Sequence, residues 1–375
     1  MLNLPRTLCL ALVSAIAFPA FAADTKKPWS DLEFSYGGLV HTDTVDFDPD
    51  VTPLENTTDF RRLRLRSQLR YNDWRLRADY DWGIAPGWRS TFVEYGGFRK
   101  QRIVVGNHVA PFSMEELKSS RHLGLNERSI ASALAPSMLV GASWRTWRDR
   151  WSFHAGLFGD ALDNLDRRRL PGQSVIARAT YAPIKRDGFT VHLGSAVEFR
   201  DVDDGEAVRL RVRPGTRLTD RRLVDTRNLD GVDTSQSLGL EFGLSWERFR
   251  LQSEMIQARL DAPEGQLAFS SQYVMAAYVI GGKPYEYSHS RGNFKTVRPQ
   301  SDWGSLELLA RRASLDLNDG PVTGGKQYES TLGAAWIYNK YLRLMLSVSR
   351  IEATPNRDGI DEDVTVGSLR LQLTF

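Results

Sequence analysis

The stretch RRLRLRSQLR at residues 61–70 places an arginine on every second residue and leucine at most of the positions between them. Arg62, Arg64 and Arg66 share one parity, and the leucines take the other. A helix would mix the two kinds of side chain, because its period is 3.6 residues, whereas a strand sends alternate side chains to opposite faces. The stretch therefore predicts a β-strand with one cationic face and one apolar face.

The same alternation recurs from one end of the chain to the other. It is strict in WRLRADYDW (74–82) and looser in RFRLQSEMIQARL (248–260) and YLRLMLSVSR (341–350). We predict sixteen strands, joined alternately by short turns, such as 72–73, and by long loops. The predicted long loops lie at about 43–58, 110–137, 160–173, 200–236, 312–326 and 353–363.

An even number of strands, with turns on one side and loops on the other, is typical of a bacterial outer-membrane β-barrel. A secreted β-sandwich is the alternative, since antiparallel sheets commonly have a solvated face. A sandwich would need two sheets and Greek-key connections, so the repeated alternation favours the barrel. Aromatic residues near strand ends, such as Trp144, Trp147 and Trp151, fit interfacial girdles. The segment 281–300 is long where a turn should be short, so it is either an inward plug or a slip in the assigned parity.

In a barrel, the two faces of the strand 61–70 contact different environments. Lipid contacts the leucines, and the arginines face a lumen that is water-filled unless something occupies it. Arg61 has the parity of the leucines, so we expect it beyond the apolar band. Of the 49 basic residues in the chain only nine are lysine. Arginine grips phosphate or carboxylate with two parallel hydrogen bonds, and this composition therefore favours an anion-conducting lumen.

The N-terminus has the pattern of a secretory signal. Arg6 precedes an apolar segment that ends in the small-residue cleavage sequence AFA (20–22). The apolar segment is too short to span a bilayer, so we predict a cleaved signal peptide over 1–22 and a barrel domain over 23–375. Cys9 is the one cysteine of the chain and lies in the signal, so the mature protein should contain no disulfide.

The loop APFSMEELKSSRHLGLNERSIASALAPSML (110–139) carries candidate anion ligands. Serine hydroxyls donate hydrogen bonds to an oxyanion, and lysine and arginine supply positive charge. Ser113 and Glu116 match a capping box, which predicts a short helix near 114–118. An ordinary solvated loop is an equal alternative, because the glutamates in it would repel anions. The candidate ligands of this loop are Lys118, Ser119, Ser120, Arg121 and Arg128.

Three motifs resemble the phosphate- and polyphosphate-selective porin O and P family. They are FRRLRLR (60–66), PFSMEELKSSRHLGLNERS (111–129) and VRLRVRPGTRLTDRRLVDT (208–226), and the resemblance extends over most of the mature chain. It implies a homotrimer of sixteen-stranded barrels. It also implies a loop after the fifth strand that folds inward and narrows the pore, and a ladder of arginines that leads to this constriction.

The resemblance also implies roles for particular residues. Ser119, Ser120 and Arg128 would be ligands at the narrowest point, and Arg62 and Arg64 would belong to the ladder. The third motif adds three arginines that alternate with leucine and valine, which predicts a strand-like cationic stripe. The candidate substrate-binding residues are Arg62, Arg64, Arg66, Lys118, Ser119, Ser120, Arg121, Arg128, Arg209, Arg211 and Arg213.

The predicted function is an anion-selective outer-membrane diffusion channel for phosphate or polyphosphate, and the alternative is a general porin or one for another substrate such as a small organic acid. Two remote alternatives are a non-conducting structural barrel and a hydrolase that uses Ser119 or Ser120 with His122. No metal-binding, cofactor-binding or nucleic-acid-binding pattern stands out. The predicted partners are small anions, outer-membrane lipid and lipopolysaccharide, and the barrel-assembly machinery, to which the terminal Phe375 would be presented.

Overall fold

The computed structural model describes residues 31–162, 168–263 and 265–375. The predicted signal peptide, 1–22, lies outside these residues. The described chain forms a closed antiparallel barrel of sixteen strands, as predicted. The barrel strands are β1 (Leu32–Pro49), β2 (Thr57–Tyr71), β3 (Trp74–Asp81), β4 (Gly87–Tyr95), β5 (Gln101–Val109), β6 (Met138–Trp147), β7 (Trp151–Phe158), β8 (Gln173–Arg186), β9 (Phe189–Asp201), β10 (Thr234–Trp246), β11 (Phe249–Ala262), β12 (Gly265–Ile280), β13 (Ser305–Asp319), β14 (Val322–Ile337), β15 (Leu342–Ala353) and β16 (Glu362–Thr374). Within the described part of the chain, no helix combines the length and the apolar character needed to cross a membrane.

The barrel closes where the first strand pairs with the last. Leu39 of β1 lies opposite Thr374 of β16, and the Gly38 amide donates to the Phe375 carbonyl at 2.9 Å. Every strand pairs with its neighbours in sequence, so the wall has no crossover and no free edge. A closed wall satisfies the backbone hydrogen bonds that hydrocarbon could not.

The two rims of the barrel carry different connections. The first rim has the connections 72–73, 96–100, 148–150, 187–188, 247–248, 281–304 and 338–341. The second rim has the connections 50–56, 82–86, 110–137, 159–172, 202–233, 263–264, 320–321 and 354–361. Long loops are therefore concentrated on the second rim, and 281–304 is the one long connection of the first.

Two predicted loops are shorter than expected. The loop predicted at 43–58 covers only 50–56, because β1 continues to Pro49. The loop predicted at 312–326 is the two-residue turn 320–321, because β13 and β14 stay paired beside it. Gly320 has a φ of +52° there, a conformation that glycine adopts readily. Both errors have one cause: the strands extend beyond the alternating apolar region, so their polar ends resemble loops.

The alternation of side chains across the wall is confirmed in β2. Leu63 and Leu65 are 41% and 42% exposed on the outer surface. Arg62, Arg64 and Arg66 line a cavity inside the barrel. The strand thus separates an apolar exterior from a cationic interior, which is the arrangement of a transmembrane barrel with a polar lumen.

The prediction for Arg61 is wrong, because a β-bulge interrupts the parity of β2. His41 pairs with Arg62 while Thr42 pairs with Phe60, so Arg61 is the extra residue between them. Arg61 is only 4% exposed and binds Glu127. A bulge re-aims one side chain without disturbing the rest of the strand. It turns Arg61 into the barrel, so that it is not beyond the apolar band.

The outward leucines give a direct test of orientation. Replacing Leu346 of β15, which is 54% exposed, by arginine should lower the free energy of unfolding by about 2–4 kcal/mol, because a guanidinium then faces lipid. The matched control is Thr323→Arg at the exposed start of β14, where the same charge stays in water. Urea unfolding in lipid vesicles would measure both, and equal stabilities would contradict the assigned outer face.

The interior of the barrel is filled unevenly. On β11–β13 many inward side chains are apolar too, as at Ile256, Phe269 and Leu309, and they pack against Leu125 and Leu134 of the connection 110–137. These strands therefore carry apolar residues on both faces, which explains the looser alternation of their sequences. The open part of the bore lies against β2–β7, where the inward side chains are mainly charged on β2–β4 and mixed on β5–β7.

The connection 281–304 contacts inward residues of the barrel. Tyr285 donates to Glu307 of β13 at 2.7 Å, and Asn293 donates to the Met114 carbonyl at 2.7 Å. The strand order around it is uninterrupted, so the assigned parity does not slip at this segment. The length of the connection is explained by a short hairpin that it contains and by these contacts.

Candidate functional site

A cavity of about 690 Å³ runs along the inner faces of β2–β7. Its described lining is rich in arginine and comes from the strands and from the connections 110–137, 159–172, 202–233 and 281–304. Eight of the eleven candidate ligands lie on its wall. They are Arg62, Arg64, Arg66, Lys118, Ser119, Ser120, Arg121 and Arg128.

The arginines at the wide part of this cavity share aspartates of β3. Asp81 accepts a hydrogen bond from Arg64 at 2.9 Å and lies 3.2 Å from Arg62. The Arg89 guanidinium of β4 is 3.8 Å from the same carboxylate. Asp81 is only 2% exposed, so this is a desolvated cluster of three cations and one anion. Its net charge remains positive.

A second aspartate repeats the arrangement one step further along the bore. Asp79 accepts hydrogen bonds from Arg66 at 3.2 Å and from Arg77 at 2.8 Å. Arg77 and Arg75 also line the cavity, although they were not among the candidate ligands. Their parity opposite Trp74 and Leu76 was the signal that could have identified them.

The connection 110–137 is held at its beginning by the carboxylate of Glu254. This side chain accepts the backbone N–H groups of Met114 and Glu115 at 3.0 and 2.8 Å. Tyr273 donates to it at 2.6 Å. Glu254 and Tyr273 belong to β11 and β12, whereas the connection joins β5 to β6 on the other side of the barrel.

The far end of the same connection is held by arginines of three other strands. The Glu127 carboxylate binds Arg61 and lies 3.5 Å from Arg370. Arg311 donates to the Glu127 carbonyl at 3.0 Å, and Arg370 binds Asp43 through two hydrogen bonds of 2.6 Å. Burial raises the pKa of Glu127, but the charge and hydrogen bond of Arg61 together with the Arg370 charge outweigh burial and hold the pKa well below its usual value. Glu127 is therefore a neutralised carboxylate and does not repel anions as a solvated one would.

The helix expected near 114–118 is a single hydrogen-bonded turn. The Glu116 amide donates to the Ser113 hydroxyl at 3.2 Å, as in a capping box, but the described helical elements of the connection are two 3₁₀ turns further on. The Glu116 carboxylate accepts from Ser137 at 2.9 Å instead of returning to the cap. The capping contact is local and predictable, whereas the contacts of this turn with Ser137 and with Glu254 of the wall are not.

Lys118 and Arg121 face the cavity while their backbone is fixed. The Arg121 carbonyl accepts from Arg343 of β15 at 2.8 Å and from Gln372 of β16 at 3.1 Å. Burial, reinforced by the Arg250 charge, lowers the pKa of Lys118 to about 7. Burial beside Arg66 lowers the pKa of Arg121 to about 10. Arg121 therefore stays charged near neutral pH, and Lys118 is half-charged there.

Arg128 is occupied by the connection that carries it. Its guanidinium donates to the carbonyls of Glu115, Glu116 and Lys118 at 3.2, 3.4 and 2.6 Å. It also lies 3.5 Å from the Glu116 carboxylate. Most of its donors therefore brace the turn that positions Lys118, although the side chain lines the cavity.

The predicted stripe at 209–213 is a short strand, but it is not on the described wall of this cavity. Arg209–Val212 pairs with residues in 224–225 and 168–169, and Arg209 binds Asp225 at 2.8 and 2.6 Å. Arg213 binds Asp220 at 2.8 Å. Arg217, four residues further on, does line the cavity. The alternation was a correct strand signal, but it did not reveal which interior surface the strand would face.

The cations that line the cavity differ in whether a carboxylate lies close to them. The ladder arginines share carboxylates, as described above, and Arg178 binds Glu241 at 2.6 Å. Among the described residues, four lining cations have no carboxylate within ion-pair distance. These four are Lys118, Arg121, Arg145 and Arg291.

The serines near His122 do not form a hydrolytic site. His122 is joined to Ser119 through a backbone hydrogen bond of 2.8 Å, and in the described structure its ring makes no hydrogen bond to either serine. Burial and the Arg343 charge lower the pKa of His122 to about 3, which makes it a poor general base near pH 7. No group of three metal-ligating side chains is present in the described ranges.

Comparisons with known proteins agree with this architecture. The family model described as phosphate-selective porin O and P matches residues 34–375. Porin O of Pseudomonas aeruginosa is 25% identical over 92% of this chain and 90% of its own length. An uncharacterized protein of Caulobacter vibrioides is 28% identical over 73% of this chain and 59% of its own length.

Solved structures share the fold at low identity. OprB of Pseudomonas putida has a TM-score of 0.58 at 10% identity, over 92% of this chain and 94% of its own. An anion-selective porin of Comamonas acidovorans has a TM-score of 0.55 at 13% identity, over 92% of this chain and all of its own. OmpT of Vibrio cholerae, in a trimer form, has a TM-score of 0.56 at 10% identity, over 92% and 99%. With the family match covering nearly all of the described chain, this protein belongs to the phosphate-selective porin O and P family and is an anion-selective channel of the bacterial outer membrane, not an enzyme.

Proposed function

We propose that this channel conducts phosphate, and that Lys118, Ser119, Ser120 and Arg121 form its narrowest section, called the throat below. One observation carries the proposal: Lys118 and Arg121 are lining cations without a carboxylate partner among the described residues, and they flank two serines. Charge together with hydroxyl donors is what a tetrahedral oxyanion requires as it loses water.

The position of the throat follows from the contacts of its connection. The connection 110–137 begins and ends on β5 and β6, yet it bonds to Glu254, Arg311, Arg343 and Arg370 on the inner face of the opposite wall. A segment with such contacts crosses the bore and divides it. We infer that it is the inward constriction of the pore.

The ladder and the throat then act in sequence. Arg62, Arg64 and Arg66 attract an anion, but Asp81 and Asp79 compete for their donors and keep each site shallow. Among the described residues no carboxylate lies within ion-pair distance of Lys118 or Arg121, so the throat is the deeper site. Sites of graded depth let an ion enter, lose part of its hydration and leave again without being trapped.

The double substitution of Lys118 and Arg121 by glutamine tests this proposal in planar bilayers. Phosphate added to a chloride solution should block current in the unaltered protein, and the double variant should weaken that block at least about tenfold, because charge-assisted hydrogen bonds are lost. Lys340→Gln, in an exposed turn, is the matched control. Cation preference in the reversal potential of the unaltered protein, or undiminished block in the double variant, would refute the proposal.

Block by sulfate should depend on pH through Lys118. Sulfate keeps its two charges between pH 6 and 8, whereas Lys118, with a pKa of about 7, loses its proton over this interval. The protonated fraction, and with it the affinity, should fall about tenfold from pH 6 to pH 8. Arg250, Arg343, Glu307 and Glu115 surround Lys118. Sulfate should block the Lys118→Arg variant equally well at both pH values. A pH dependence that survives in this variant would assign the titration to another group.

Assembly and partners are proposed by analogy. The trimer form of Vibrio cholerae OmpT supports a homotrimer for this chain. Phe375, 60% exposed at the end of β16, is available to the barrel-assembly machinery, and the charged second rim is suited to lipopolysaccharide. A small organic acid is the second candidate substrate, favoured by the Phe92 ring that lines the cavity with arginines stacked on it.

A further inference from the structure

The bore on the short-turn side of the throat contains arginines stacked on aromatic rings. The Arg75 and Arg77 guanidinium carbons lie 5.3 and 5.9 Å from the centre of the Phe92 ring. Those of Arg102 and Arg145 lie 5.4 and 5.5 Å from the Trp147 ring. Arginine over an aromatic face is held by cation–π attraction and keeps its in-plane N–H donors available.

Trp147 is on the inner face of the wall, unlike the other members of its expected girdle. Trp144 and Trp151 are 40% and 41% exposed outside, but Trp147 pairs with the inward Ser152. Arg102 and Arg145 sit directly opposite each other on β5 and β6, an arrangement of like charges that is normally destabilising. The indole ring stabilises this pair where a carboxylate would usually be found.

Two arginines that line the cavity, Arg145 and Arg291, have side-chain donors without acceptors among the described residues. Within the described structure the guanidinium of Arg145 makes neither a hydrogen bond nor an ion pair, and its Nε is buried. The Arg291 side chain likewise has no acidic partner there. Its backbone is fixed, because Arg178 donates to the carbonyls of Arg291 and Gly292 at 3.0 and 2.8 Å. Glu94 also lines the cavity, but it forms an ion pair with Arg75 at 2.9 Å.

We propose that Arg145 and Arg291, with the ring of Phe92 and its stacked arginines, form a second anion site that prefers planar aromatic carboxylates. This inference rests on the proposed function, since it assumes that anions pass the throat, and it names a substrate class for the same channel. A carboxylate would receive the free donors of the two arginines, and the attached ring would stack on a guanidinium plane. Inorganic phosphate could use the charges and the donors, but it has no ring to stack. An aromatic acid uses both features of the site.

The test compares two probes of equal charge, benzoate and cyclohexanecarboxylate, as blockers of chloride current in the unaltered channel. Benzoate should block about tenfold more strongly, because a saturated ring cannot stack. In Arg145→Gln this ratio should fall to about one. Arg259→Gln, an exposed outward arginine of β11, is the matched control and should keep the ratio.

Each outcome decides the question. Equal block by the two probes in the unaltered channel, or a benzoate preference that persists in Arg145→Gln, would overturn the proposal. If Arg145→Gln fails to assemble, Arg291→Gln in the connection 281–304 tests the same loss of preference. Phosphate block is recorded on the same channels, and its absence would refute the phosphate throat while leaving the benzoate ratio to be read independently.

Discussion

Replacing Glu127 by glutamine should release the far end of the connection 110–137 and enlarge the throat. The variant leaves the buried Arg61 and the nearby Arg370 without the carboxylate that they share. Removing one partner of a buried ion pair typically costs 3–5 kcal/mol, because a charge stays desolvated and unpaired. We expect a higher single-channel conductance and a phosphate block that is weakened at least about tenfold, since more than 1.4 kcal/mol of positioning energy is lost.

The matched control for this experiment is Glu55→Gln, which makes the same chemical change in the exposed connection 50–56. It should leave both conductance and block unchanged. Arg61→Ala, Glu127→Ala and their double variant form a cycle that isolates the pair, with a coupling of about 0.5–3 kcal/mol expected for contacting residues. Unchanged conductance and block in Glu127→Gln would show that the remaining contacts of the connection fix the throat alone.

The fold could be predicted because the information that specifies it is local. Side-chain parity is a property of neighbouring residues, so RRLRLR predicts a two-faced strand wherever it lies in the barrel. The same reasoning separates the lipid-facing Leu63 from the inward Arg64. It failed at Arg61, because a bulge is set by the pairing of β1 with β2, which no short stretch reveals.

The candidate site was predictable in part for the same reason. Side-chain parity identified Arg62, Arg64 and Arg66 as inward residues. It also indicated that Arg75 and Arg77 point inward, although they were not among the candidate ligands. It could not reveal that Arg128 binds backbone carbonyls of its own connection, or that Arg209 binds Asp225. Those contacts depend on how a connection folds back in three dimensions.

Tertiary contacts also determine how an acidic residue affects anions, which the sequence does not show. Glu127 reads in the sequence as an obstacle to anions, but in the structure two arginines neutralise it and it holds the far end of the connection 110–137. Arg145 and Trp147 share a face by parity, but only strand pairing brings Arg102 across to the same ring. The ion pairs of the structure, which the sequence does not reveal, therefore distinguish the ladder arginines from the lining cations that have no carboxylate partner among the described residues.

Replacing Asp81 by asparagine should convert the wide part of the bore from a shallow site into a trapping one. Asp81 is shared by Arg62, Arg64 and Arg89, and the variant leaves all three without this carboxylate. An entering anion then no longer competes for their donors. The gain of about one charge-assisted hydrogen bond, roughly 1.5–3 kcal/mol, should tighten phosphate block by at least about tenfold.

Tighter binding should also slow conduction, because an ion held in a deeper site leaves it less often. Chloride current in Asp81→Asn should therefore saturate at a lower salt concentration and reach a lower maximum than in the unaltered channel. Asp59→Asn, at the exposed start of the same β2 strand, is the matched control, and a stability measurement separates a damaged fold from a changed site. If Asp81→Asn bound phosphate more weakly, the carboxylate would be organising the arginines for the anion and not competing with it, and the graded-depth mechanism would have to be abandoned.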